Sequence, residues 1–306
     1  MVYAQLIGLF IAFVLVPAWL LYSLWNNPGA TGYDWMVRIL HAGLALLTLW
    51  LIGRWDWISV YMRYLIPAVF LVVGFLSYRR VADRPFMTGQ GPARWFKNKQ
   101  ALIEGLVFLV ALVFVFRGRA QGKPAVDLHF PLQDGRYYVA HGGKNMTVNM
   151  HSRVRPQQYA LDIVELTGAG NKARGLLPEK LDRYPIFGNT VISPCRGQVL
   201  ETEGDMVDLT PPERNPERPA GNHVVLACRD VKILLAHLKQ GSLQVEEGEQ
   251  VAVGQPLGKV GNTGNTSEPH LHIHAVAQGS GGVMEGEPVP LQFQGRYLVR
   301  NDLVKR

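Results

Sequence analysis

Four long apolar runs crowd into the first 117 residues, and nothing later in the chain resembles them. No charged residue precedes Asp34, and 4–25 is apolar apart from Gln5 and Ser23. That length crosses ~30 Å of hydrocarbon as a helix. With no basic start and no small-residue cleavage site before Asn26, it reads as an uncleaved anchor. Further runs cover 39–52 between Arg38 and Arg54, 57–78 with Arg63 inside, and 101–116 with Glu104 near its start. The run at 39–52 is short and needs its flanking arginines to reach the headgroups. Trp50, Trp55, Trp57, Tyr61 and Trp95 sit near run ends, as an aromatic belt does. The expectation is a transmembrane helical region at 1–117 with about four spans. Arg63 and Glu104 read as charges close enough to span ends to reach water, or as partners of each other, rather than as an intramembrane pathway.

Charge follows the same division. Up to Arg117 there are ten Lys and Arg against four Asp and Glu, and these supply about six of the seven net positive charges. Because this excess lies between hydrophobic runs, not on a folded face, a nucleic-acid partner is excluded. A hydrophobic fraction of 48% excludes intrinsic disorder, and two cysteines exclude a disulfide-dense scaffold. The loop 79–99 carries Arg79, Arg80, Arg84, Arg94, Lys97 and Lys99 against Asp83, whereas Arg117, Arg119 and Lys123 follow the last run. Positive-inside counting places that loop in the cytoplasm and everything after Phe116 outside.

From Val126 the pattern changes to short apolar runs punctuated by Gly, Pro, Asn and Asp. Strands are expected at 137–140, 159–164, 190–193, 198–201, 223–227, 232–238, 250–253 and 270–277. No long amphipathic helix competes, so the second part is mainly antiparallel β. It is expected at 136–306, joined by a linker at 118–135 that starts with a tether at 118–125; 211–219 reads as an exposed loop. Cys195 and Cys228 each flank an expected strand, and export favours a disulfide between them over two buried thiols.

Eight of the nine histidines lie after Gly118, all except His41. The run Gly261-Asn262-Thr263-Gly264 leads into Glu268-Pro269-His270-Leu271-His272-Ile273-His274. Side chains alternate along a strand, so His270, His272 and His274 share one face, with neighbours ~7 Å apart. Imidazoles at that spacing can converge on one small site, one binding a metal and another reaching the water beside it.

Here a family resemblance emerges. Pro269-His270-Leu271-His272 after Gly-Asn-Thr-Gly resembles the His-x-His signature of lysostaphin/LytM-type zinc peptidases. Leu235-Ala236-His237-Leu238 and Gln158-Tyr159-Ala160-Leu161-Asp162-Ile163 are similar to two further segments of that family, in its chain order. Segments 221–226 and 248–258 match its intervening strands and turns, and the resemblance covers 138–277. It implies that Asp162 and His272 bind Zn2+ and that His237 and His270 flank the reacting water. The family's first ligand commonly stands four residues before the Asp, where this chain has Gln158, a poor ligand for zinc. Val148-Asn149-Met150-His151 is similar to a longer-spaced version, which makes His151 the chosen ligand and His141 the runner-up. His274 stands where Glu is common and reads either as a support for the ligands or as an ordinary structural histidine. His223 and His129 receive no role. With no His-Glu-x-x-His helix in the chain, a histidine is the expected base.

The leading reading is a membrane-anchored zinc endopeptidase that hydrolyses peptide cross-links of bacterial peptidoglycan. It would sit as a multi-pass protein of the bacterial inner membrane, its catalytic domain on the extracytoplasmic side. The bilayer, the peptidoglycan peptide and proteins of cell-wall synthesis or hydrolysis are its expected partners. A second reading is a degenerate module that binds and activates a cell-wall amidase. A third, a carrier domain, rests on 245–258, which resembles biotinyl and lipoyl domains but lacks the Met-Lys-Met tripeptide.

Overall fold

A computed structural model describes residues 7–88 and 98–306. The chain divides into two compact units, one of Met1–Gly53 with Val60–Phe116 and the other of Arg54–Ser59 with Arg117–Arg306.

The first unit is helical. Helices α1 (Ile7–Asn26), α2 (Gly32–Ile52), α3 (Met62–Arg79) and α4 (Lys99–Arg119) are each long and apolar enough to cross a membrane. Ala4, Gln5, Arg94, Trp95 and Lys97, which entered the sequence reading, lie outside the described residues. Helix α2 starts well before the expected 39. Thr31 caps it, its hydroxyl accepting the Asp34 N–H at 3.1 Å, so Arg38 stands inside the first two turns instead of marking the flank. Arg63 and Glu104 do not pair with each other, because each has a closer partner. Arg63 lies 3.9 Å over the Trp50 ring and donates to the Trp50 carbonyl, while Glu104 meets His41 at 2.8 Å.

The second unit is β. Its strands are β1 (Val126–Leu128), β2 (Arg136–His141), β3 (Leu161–Glu165), β4 (Thr190–Ile192), β5 (Gly197–Glu203), β6 (Asn222–Cys228) and β7 (Val231–Leu238). There follow β8 (Gln250–Val251), β9 (Pro256–Lys259), β10 (Leu271–Ala277), β11 (Pro288–Val289), β12 (Leu291–Phe293), β13 (Arg296–Tyr297) and β14 (Leu303–Lys305). The main sheet runs β14-β2-β3-β10-β7-β6-β5-β8, with β11 on the end of β10; β1-β12-β13 and β4-β9 form two small sheets. All pairings are antiparallel except β1 with β12.

Alternation explains which face is which. Leu161, Ile163, Leu271, Ile273, Ile233, Leu235, Val224 and Leu226 point to one side and form the core with Phe130, Leu132 and Leu257. Asp162, His272 and His274 fall on the other side. Part of the expected linker belongs to this core. Leu128, Phe130 and Leu132 are buried, and β1 pairs with β12, so alternating apolar side chains draw 126–132 into the domain. The expected aromatic belt also needs correction at two positions. Trp55 and Trp57 are buried within the β unit, Trp55 only 2% exposed. The third apolar helix accordingly begins at Met62, not at Trp57. Cys195 and Cys228 are joined in a disulfide with Cα atoms 6.0 Å apart.

Two bulges re-aim histidines. Strict alternation would send His141 to the side of Val139 and His237 to the side of Leu235, both core residues. Between β2 and β3 the register slips after Val139, so that His141 stands opposite Asp162. Between β7 and β6, Ala236 faces His223 and Leu238 faces Asn222, leaving His237 as the extra residue. His237 has φ 64°, in the left-handed region that non-glycine residues rarely adopt.

Candidate metal centre and its flanking histidines

Strands β3 and β10 are neighbours, and their register sets Asp162 directly opposite His272. His272 Nδ1 lies 3.0 Å from Asp162 Oδ1. A 3₁₀ turn, Met150–Arg153, brings His151 from the other side, with Nε2 2.7 Å from Asp162 Oδ2. One ligand atom from each of the three lies within 4.8 Å of the others. The turn is held by Asn149, fully buried, whose Oδ1 accepts the His151 N–H and whose Nδ2 donates to the carbonyls of Gly143 and Ala160.

Hydrogen bonds on the far side of each ring decide which nitrogen keeps a lone pair. His274 Nε2 donates to the Val283 carbonyl at 3.0 Å, which leaves its Nδ1 as an acceptor. His272 Nε2 donates to that Nδ1 at 2.9 Å, so His272 Nδ1 presents a lone pair toward Asp162. His151 Nδ1 donates to Gln157 Oε1 at 3.1 Å, leaving Nε2 as its acceptor. Two imidazole lone pairs and one carboxylate are the donor set that suits Zn2+ with room for a water.

The flanking pair is organised in the same way. His237 Nδ1 donates to the Thr263 carbonyl at 2.8 Å, and His270 Nδ1 donates to the Glu268 carbonyl at 2.9 Å. Each ring therefore keeps Nε2 as its acceptor. The two ring centroids are 4.7 Å apart, His237 is 5.8 Å from the His272 ring, and His270 Nε2 is 3.5 Å from Asp162 Oδ1. The loop behind His270 packs tightly on the residues before β6. A Cβ on Gly221, at φ 62°, would come within 2.3 Å of the Thr263 carbonyl, and one on Gly264, at φ 85°, within 2.4 Å of Gly221 N.

Burial dominates the protonation pattern. It pushes His272 down to about 4 and His274 down to about 3, and holds His237 well below the ordinary histidine value with help from His270 and His272. Burial would also lower His151, but the adjacent Asp162 carboxylate outweighs it and the ring is raised. Burial would raise Asp162, yet the imidazoles of His151 and His270 hold it well below the usual carboxylate range.

The structure thus brings His151, Asp162, His237, His270 and His272 together. His141 is not in the three-residue group; its Nε2 lies 3.0 Å from Arg54 Nη1 and its Nδ1 2.8 Å from Arg300 Nη2. Gln158 turns away and donates to the Lys144 carbonyl. Sequence reasoning passed over Asn149 and Gln157 and left His274 undecided. Its one available signal was the even spacing of His274 from His272, which places it on the site face. His223 bonds the Gly221 carbonyl and Glu201.

Residues 183–282 match the family model described as Peptidase family M23, so the chain carries an M23 domain. The chain is 29% identical over 147 residues to the peptidoglycan DD-endopeptidase ShyA of Vibrio cholerae serotype O1, covering 48% of this chain and 31% of that protein. The chain thus spans about a third of that relative's length. Two similar solved structures are the catalytic domain of lysostaphin from Staphylococcus simulans and a zinc-containing peptidase from Vibrio cholerae. The first has 17% identity and TM-score 0.29, covering 51% of this chain and 88% of that one. The second has 20% identity and TM-score 0.25, covering 42% and 48%.

Proposed function

We propose that this M23 domain is a zinc endopeptidase acting on peptide cross-links of peptidoglycan, in a chain anchored by its four apolar helices. The observation that carries the reading is the set of five side chains: two imidazoles and a carboxylate with acceptor atoms converging, and two further imidazoles whose Nε2 atoms are left without a proton beside them. His151 Nε2, Asp162 and His272 Nδ1 would hold a zinc ion. The peptidoglycan substrate is taken from the family and from the relative's name.

Zinc, when bound, lowers the pKa of a water to ~7 and polarises the scissile carbonyl. The chain's own residues do the rest. Asp162 supplies the one negative charge of the ligand set, and Gln157 and His274 lock the two ligand rings in the tautomers that bind. Nε2 of His237 and Nε2 of His270 are the positions that accept the proton lost by the attacking water and return one to the leaving amine. The imidazolium N–H so formed is also the donor available to the developing oxyanion. His237 cannot drift from this task, because its backbone is pinned by His237 N–H to the Ala220 carbonyl and Gly261 N–H to its own carbonyl.

An extracytoplasmic position for the domain is supported by three features. The basic loop 79–99 favours the cytoplasm. The disulfide suits an oxidising compartment. Arg54–Ser59 and Arg117–Arg306 form one compact unit, which fits a topology with the two spans α3 and α4 between segments on the same side.

The test is hydrolysis. The purified full chain with zinc is expected to release cross-link cleavage products from sacculi, and to lose that activity with chelator and in His272→Ala. Bound zinc without turnover would overturn the endopeptidase reading and favour an amidase-activating module.

A further inference from the structure

We propose that Arg54–Ser59, six of the nine residues between α2 and α3, are a working part of the hydrolytic site, with Arg54 and Asp56 as positioning residues for its histidines. The proposal rests on the peptidase reading for the chemistry being positioned, but not for the contacts that do the positioning.

The segment is built into the β unit, not laid upon it. Asp56 is fully buried and Trp55 nearly so. The Trp55 N–H donates to the Tyr138 hydroxyl at 3.2 Å, the Lys172 N–H donates to the Asp56 carbonyl at 2.9 Å, and the Ser59 hydroxyl donates to the Ala169 carbonyl at 2.7 Å. The Asn171 side chain donates to the Ile58 carbonyl.

From that anchorage two chains of contact reach the site. In the first, Asp56 takes Arg54 Nε at 2.8 Å and Nη2 at 2.7 Å, fixing the guanidinium plane. Arg54 Nη1 is left 3.0 Å from His141 Nε2. His141 Nδ1 faces Arg300 Nη2 at 2.8 Å and the Met150 N–H at 3.3 Å, and its ring meets the His151 ring edge-on at 5.8 Å. The Met150 N–H makes Nδ1 the ring's acceptor, so the neutral ring turns its Nε2–H toward Arg54 Nη1, and a guanidinium only donates. Arg54, its plane fixed by Asp56, therefore bounds the ring that backs the His151 turn by close approach and charge, without a hydrogen bond to it.

In the second, Lys172 lies 3.1 Å over the Trp57 ring and 3.9 Å from Asp56 Oδ2, and bonds Glu268 Oε1. Arg54 Nη2 is 3.7 Å from the same Glu268 oxygen. The main-chain carbonyl of Glu268 is the acceptor that fixes the His270 tautomer. Two cations and two carboxylates thus neutralise one another in a buried cluster, and removing one member leaves an uncompensated charge beside His270.

The experiment uses the full chain in detergent, with Co2+ in place of Zn2+ so that the visible spectrum reports ligand geometry. Arg54→Ala, Arg54→Lys and Asp56→Asn are compared with wild type for Co2+ affinity, spectrum, kcat and KM. Arg54→Lys keeps the charge and guards against a folding defect, yet a lysine cannot take both Asp56 oxygens and face His141 together. The expected result is a roughly tenfold to hundredfold loss in Co2+ affinity or in kcat, with KM little changed and the spectrum altered. Affinity, spectrum and kcat all equal to wild type in the folded variants would overturn the proposal. A wild-type chain that binds Co2+ but hydrolyses nothing would overturn the peptidase reading instead, and affinity and spectrum would still decide the role of Arg54.

Discussion

His272 and Asp162 face each other across the pairing of β10 with β3, Nδ1 to Oδ1 at 3.0 Å, and His274 stands behind His272 on the same strand face. The His274 ring accepts a hydrogen bond from His272 Nε2, so its tautomer decides that His272 Nδ1 keeps the lone pair facing Asp162. His274→Ala removes that acceptor from a site where His272 is 4% exposed. The expected outcome is a tenfold to hundredfold loss in zinc affinity and a stability loss of about 1–3 kcal/mol, with affinity recovered in His274→Glu, whose carboxylate also accepts. Zinc titration monitored by a competing chelator checks this, and an unchanged affinity in His274→Ala would count against the relay.

Ligands and proton-transfer residues separate by two measurements. His237→Ala is expected to keep about one zinc per chain while losing 10²-fold or more in kcat, whereas His151→Ala loses the zinc as well. Zinc lost in His237→Ala with retained turnover in His151→Ala would reverse the assignment.

The metal-free chain should weaken in mild acid. His272 at about 4 and His274 at about 3 lie below the unfolded value of 6.5, so the unfolded chain binds protons that the folded chain refuses. Stability is therefore lost as pH falls from about 6.5, about 3 kcal/mol from His272 alone when its folded value is passed. His237 and His141, also lowered mainly by burial, act in the same direction. His151, raised, opposes them, since its contribution is present below 6.5 and fades as pH rises through its folded value. Thermal melts of the chelated full chain should show a lower midpoint at pH 5 than at pH 7.5; an equal or higher midpoint at pH 5 contradicts the burial of these rings as neutral groups.

Reducing the Cys195–Cys228 bridge, whose partners are 33 residues apart, opens a loop between β4 and β6. The chain-entropy argument predicts a loss of about 3–4 kcal/mol. Denaturant unfolding with and without reductant measures it, and coincident curves would show that the bridge adds nothing.

Much of this arrangement was legible from local pattern. The even spacing of His270, His272 and His274 puts the last two on one face of β10, with His270 just before its first residue, and the short apolar run at 223–227 reads as β6. The position of His237 was not legible from alternation, which sends it toward Leu235; a bulge at φ 64° turns it, and only the family resemblance pointed to it. Short strands such as β11 and β13 have two residues each, too few for any period to register. Trp55 and Trp57 beside apolar runs carry the same signal whether they border a bilayer or fill a protein core. Their true neighbours, Tyr138 and Lys172, lie about a hundred residues further along the chain, beyond the reach of any local pattern.

The central claim is tested most directly by locating the metal. Anomalous X-ray diffraction at the zinc edge, on crystals of the zinc-loaded chain, should show one ion bound by His151 Nε2, an Asp162 oxygen and His272 Nδ1. An ion held by His141 in place of His151, or no zinc peak between β3 and β10, would contradict the account.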